Sequence, residues 1–210
     1  MEFAFSIIIL IFSIVIHEVS HGYAALALGD KTAQSEGRLT LNPLKHLDPF
    51  GSVILPIISY MLGGFIFGWA KPVPYNPYNL RNAKRDPALV AVAGPLSNLG
   101  LALIFGLVIR LAPKMGGFLP ATFLPNFLTI SGTIILVNVI LAVFNLVPIP
   151  PLDGSKILFA LFPYRWRHIQ NFLESYGMIL LLIFIIFLFN LISPIILFLF
   201  RLITGFYPFL

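Results

Sequence analysis

The chain contains no cysteine, so it has no disulfide framework, no thiolate metal site and no nucleophilic thiol. Charge is nearly as scarce. Only 10% of the 210 residues are Asp, Glu, Lys or Arg, against roughly 25% in an ordinary soluble domain. Apolar residues fill the space: 59% of the chain is hydrophobic, 21 residues are phenylalanine, and the mean hydropathy is +0.97. Several apolar runs of about 18 residues or more need lipid as their solvent, and they leave no room for a separate soluble domain. Such a chain is expected to be an all-α polytopic membrane protein, a single domain over residues 1–210 with four to five transmembrane helices. The formal net charge of +5 lies in loops beside these runs, without the aromatic interleaving that grips a nucleic-acid strand. The partner it implies is the lipid bilayer, not nucleic acid.

The first apolar run, about residues 3–28, follows Glu2 and lacks a basic leader and a clear small-residue cleavage site, so it reads as a span rather than a signal peptide. Further spans are expected at about 88–111, 128–148 and 177–200. The last apolar block, Tyr176 to Leu210, carries Asn190 and Pro194 near its middle, which leaves open one span plus an interfacial helix or two short spans. Residues 29–87 read differently. "EGRLTLN" alternates as a short strand would, and "AKPVPYNPYNLRNAKRDP" reads as a non-helical loop. Between them, about 50–69 is apolar but broken by Pro56, Gly63 and Gly64. Ten basic residues fall in 29–87 and 150–176 and three elsewhere, which places those two regions in the cytoplasm. A complete crossing by 50–69 would put its basic flanks on opposite sides, so this segment is expected to re-enter.

The run Ile14 to Leu26, "IVIHEVSHGYAAL", sets His17, Glu18 and His21 inside the first span. This is H-E-x-x-H. Positions i and i+4 share a helix face, so both imidazoles can reach one metal while Glu18 stands beside the water to be activated. Zinc suits two neutral histidines plus one further ligand and an open position, and Glu18 would be the general base. Solvated helix faces carry such pairs by chance, but an acid and two histidines in lipid cost on the order of a few kcal/mol and usually mark a site.

The third ligand must come from Glu36, His46, Asp48, Asp86, Asp153, His168 or Glu174. Asp153 stands out because Pro148, Pro150 and Pro151 break the preceding span on the side expected for His21. The competing reading is an ordinary turn aspartate in "LDG". His46 and Asp48 fit loop-organising roles, though their loop could supply a ligand instead. Asn145 is either interhelical glue or a donor to a substrate carbonyl. Asn98, in the small-residue stretch "AGPLSN", reads as a packing residue.

Taken together, "HEVSH", "AGPLSN" and "FNLVPIPPLDG" resemble, in order, the motifs of the site-2 protease family of intramembrane zinc metalloproteases, in its compact prokaryotic form. The resemblance covers roughly Ile14 to Ile157. It implies one Zn2+ per chain held by His17, His21 and Asp153, Glu18 as the catalytic glutamate and Asn145 as the active-site asparagine. It also implies hydrolysis of peptide bonds within or beside transmembrane segments of other membrane proteins, as in regulated intramembrane proteolysis. The location implied is a prokaryotic inner membrane, with the active site toward the cytoplasm. The family's asparagine-proline-aspartate-glycine appears here as "PLDG", with Leu152 before the aspartate, and the chain has no room for a PDZ or nucleotide-sensing domain. "GWAKPVP" is similar to a segment of compact members, and no catalytic role follows from it. The alternatives are a metal-ion transporter and a catalytically inactive membrane scaffold. A base beside a ligand pair, too few acids for a relay across the bilayer and an intact Glu18 all speak against them.

Overall fold

The computed structural model describes residues 2–54, 58, 61, 70–115 and 123–206. Helix α1 (Glu2–Ala27) is apolar nearly all round, so in lipid its packing face is set by small and polar groups rather than by an apolar stripe. Ser13, Val15, His17, Val19, His21 and Ala25 turn inward, while Phe5, Ile8, Phe12 and Tyr23 stay exposed. A short helix α2 (Thr32–Ser35) follows, then 3-10 turns at Pro43–His46 and Pro77–Asn79.

Helix α3 (Asp86–Met115) begins where the local chemistry favours a start. The Asn82 side chain accepts from the amides of Lys84 and Arg85, the Asp86 carboxylate accepts from the Asn82 amide, and Pro87 falls in the first turn, where no donor is needed. Helix α4 (Phe123–Asn145) stops ahead of the proline-rich stretch, and α5 (Asp153–Leu161) resumes after it. Helices α6 (Arg167–Ile183) and α7 (Phe189–Thr204) are joined without a break by wider π turns at Phe184–Leu188.

Helix α3 is the hub, packing against α1, α4, α5 and α7. Ala102, Ile135, Val139, Phe184, Ile196 and Phe200 form part of the core between them. Leu96, Leu103, Ile104 and Leu107 on the outer side of α3 are more than half exposed, a face suited to lipid rather than water. Among the described residues, four helical stretches are long and apolar enough to cross a membrane: Phe5–Ala27, Asp86–Ala112, Pro125–Asn145 and Tyr164–Thr204. The last, at 41 residues, is about 60 Å long at 1.5 Å per residue, roughly twice a bilayer core. Its exposed first turns carry Arg167, His168 and Glu174, which suits the watery end.

No strand forms at "EGRLTLN" or elsewhere among the described residues. The groups that would build a ladder are engaged locally. The Arg38 amide donates to Ala33 O, the Asn42 amide to Thr40 Oγ1, and the Leu44 amide to Asn42 Oδ1. The expected re-entrant segment lies mostly outside the described residues, which cover only 50–54, 58 and 61 of it.

Candidate metal centre

The i,i+4 spacing on α1 brings the His17 and His21 rings to 4.6 Å, edge to face. Asp153 reaches them because the stretch after α4 folds back tightly. A Cβ on Gly154 would lie 2.2 Å from Leu146 O and 2.5 Å from Val147 O, so only glycine lets the chain return this closely. Asp153 Oδ2 then stands 3.1 Å from His17 Nε2 and 3.2 Å from His21 Nε2. All three residues are buried, and their ligand atoms lie within 4.8 Å of one another. Ligands at bond lengths of about 2.0 Å on a tetrahedral zinc stand about 3.3 Å apart. The donor set and its spacing therefore fit zinc, with one position left open.

The outer nitrogens are committed elsewhere. His21 Nδ1 donates to Val90 O at 2.7 Å, and His17 Nδ1 donates to Asn98 Oδ1 at 2.6 Å. The Asn98 amide can only sit this way round, since its Nδ2 faces Asn138 Oδ1 and Ser13 O. Asn138 Nδ2 in turn donates to Ser13 Oγ and Ile134 O. This buried relay across α1, α3 and α4 puts the proton on Nδ1 of His17 and leaves Nε2 as a lone pair aimed at the metal position. Beneath both rings lies Gly94, where a Cβ would come within 2.5 Å of His21 Cε1 and 2.6 Å of His17 Cε1.

Burial pushes the Asp153 carboxyl up, but the imidazoles of His17 and His21 and the Lys156 ammonium, 3.7 Å from Oδ1, more than offset it. The group is held well below the usual carboxylate range and remains an anion, as a ligand must. Glu18 sits beside the cluster with Oε2 accepting from the Val73 amide at 2.9 Å. Asn145, the last residue of α4, donates from Nδ2 to Leu141 O within its own helix.

The other candidates do structural work. His46 is buried and bonded to Thr40 O, Asp48 accepts from the Gly51 amide, Asp86 holds the start of α3, Glu36 closes α2, and His168 and Glu174 are exposed. Asn98, read from sequence as a packing residue, instead accepts from His17 Nδ1 and orients that ring. Asn138, Gly94 and Val73 are further site residues that sequence reasoning passed over. For Asn138 the usable clue is an asparagine two turns before Asn145 in an otherwise apolar span.

Residues 5–191 match the family model described as Peptidase family M50. The chain is 40% identical over 177 residues to YwhC of Bacillus subtilis (strain 168), covering 84% of this chain and 78% of that one. It is 34% identical over 148 residues to Rip2 of Mycolicibacterium smegmatis, covering 70% of this chain and 52% of that one. A shorter match, 42% over 69 residues, covers 33% of this chain and 31% of MJ0611 of Methanocaldococcus jannaschii. All three relatives carry provisional zinc metalloprotease names. No solved structure matches the chain.

Proposed function

The chain belongs to peptidase family M50 and is a zinc metalloprotease, and on that premise we propose that it cuts peptide bonds within or beside transmembrane segments of other membrane proteins. The observation that carries this reading is the convergence of His17 Nε2, His21 Nε2 and Asp153 Oδ2 on one buried point among apolar helices, next to Glu18. One Zn2+ per chain would be held there, supplying a Lewis acid that lowers the pKa of water and polarises a carbonyl.

The chain's own residues do the rest. Glu18 takes a proton from the attacking water as its oxygen bonds to the scissile carbon. The same carboxyl returns that proton to the departing amine as the C–N bond breaks. Asn145 has one Nδ2 hydrogen on Leu141 O and a second free to donate to the substrate carbonyl as it gains negative charge. The substrate is a transmembrane protein whose helix opens locally, since helical carbonyls are tied up in i to i−4 bonds. The protein is placed in a prokaryotic inner membrane, with the site toward the cytoplasm, where the basic loops gather.

The deciding experiment compares wild type with Glu18→Gln on a membrane-embedded substrate, with zinc measured in both. Cleavage is expected to fall by about 10²–10⁴-fold with zinc retained. Undiminished cleavage by Glu18→Gln would overturn the assignment.

A further inference from the structure

Residues 71–76, "KPVPYN", lie beside the site as an irregular strap whose amides at 71, 73 and 76 and carbonyls at 71 and 72 are engaged. The Lys71 amide donates to His46 O at 2.8 Å. The Lys71 and Pro72 carbonyls accept from Arg38 Nη2 at 3.0 and 3.1 Å, and the Asn76 amide donates to Asp30 Oδ2 at 2.8 Å. Prolines at 72 and 74 have no N–H, so the Val73 amide is the sole donor of residues 72–74, and it goes to Glu18. The same prolines restrict Lys71 and Val73 to extended backbone. The Val73 side chain is buried at 5% exposure against Gly22, where an added Cβ would meet Val73 Cγ1 at 2.8 Å and Leu39 Cδ2 at 2.5 Å.

We infer that this strap positions the base: Val73 N–H fixes Glu18 Oε2 and leaves Oε1 as the oxygen that handles the proton. The inference rests on Glu18 acting as the base. A glutamate on a half-buried helix face has three rotatable bonds and can miss the reacting atoms in most of its rotamers. One short donor on a stiff backbone removes that freedom, and displacement of a reacting group by about 1 Å can cost on the order of 10²-fold in rate. The strap is a fixture rather than a gate. Arg38 and Asp30, which hold its two ends, are buried at 6% and 0% exposure, and swinging the strap away would take from Arg38 both carbonyl partners and from Asp30 the Asn76 amide. Val73 is thus a positioning residue that acts through Glu18.

The test uses the full chain in detergent with a synthetic peptide carrying one transmembrane helix and a reporter at each end. Val73→Pro deletes the donor, and Val73→Ala keeps it while losing the side chain. The kcat of Val73→Pro is expected to fall roughly 10–100-fold below that of Val73→Ala, with KM within about threefold and zinc content matched. Equal kcat values overturn the inference, and a faster Val73→Pro overturns it too, since the contact would then be a brake. A second set covers a poorly folded proline variant: Gly22→Ala should lower kcat by pressing on Leu39 and the strap, and Gly22→Ala with Leu39→Ala and Val73→Ala should recover more of it than Gly22→Ala with Leu39→Ala alone. Failure to recover counts against the strap. A readout independent of activity is hydrogen exchange at the Val73 amide in zinc-free protein, expected to be about tenfold or more faster in Glu18→Ala than in wild type; equal rates overturn the contact. If Glu18→Gln cleaves normally, the base assignment itself fails. If Glu18→Gln is inert while Val73→Pro matches Val73→Ala, only the strap inference fails.

Discussion

In the proposed zinc site, each histidine ring is held by the group behind it. His17 offers Nε2 because Asn98 accepts from Nδ1, and Asn98 faces that way because Asn138 and Ser13 take its amide hydrogens. Asn98→Leu leaves a buried N–H unpaired, and zinc affinity measured against a chromophoric chelator is expected to fall about 10–100-fold. Asn138→Leu, one step further away, should lower it by less. Gly94→Ala should remove zinc binding while helix content by circular dichroism stays near wild type, because the added methyl occupies space now filled by both rings. The histidine pair and Glu18 are legible in sequence because their spacing is local. Asn98 is not, since its partner is 81 residues away and a packing asparagine is spelled the same as an orienting one.

At the scale of elements, the region after α1 shows how a loop without strands is kept in one shape. Asp30 accepts from the Thr32 amide and hydroxyl, the Asn76 amide and the Asn79 side chain. Burial pushes its carboxyl up, but these four donors outweigh burial and hold it below the usual range. The charged form is therefore favoured by folding. Its contribution is full above the unfolded value near 3.8 and is lost as pH falls below that. Thermal unfolding in detergent should show a wild-type stability that drops as pH goes from about 5 to 3, a drop that Asp30→Asn reduces. At neutral pH that variant should be less stable by about 1–3 kcal/mol. Nothing in the spacing of Asp30 announces this anchor, just as nothing at Val73 announces its contact with Glu18. A backbone amide is the same at every residue other than proline, so only the fold reveals which one is used.

For the whole molecule, the proposed ligand set joins α1 to α5, with α3 packed against both. Zinc is expected to act as a cross-link that raises the unfolding temperature, contributing about 2.7 kcal/mol when free zinc is 100 times its dissociation constant. Chelation should reverse the shift, Glu18→Gln should preserve it, and Asp153→Ala should abolish it; a zinc-dependent shift that survives Asp153→Ala would remove Asp153 from the ligand set. The polytopic all-helical architecture is legible because lipid-length apolar runs have few other solutions. The short strand expected at "EGRLTLN" is absent because side-chain and turn bonds took the donors that alternation alone cannot assign.

His17 and Asp153 are 136 residues apart, and this separation orders events during synthesis. A chain halted anywhere between residues 22 and 152 carries both histidines and the glutamate but not the Asp153 carboxylate. On the proposed ligand set, a chain that has made only its first three long helices lacks the third metal ligand and is expected to be inactive.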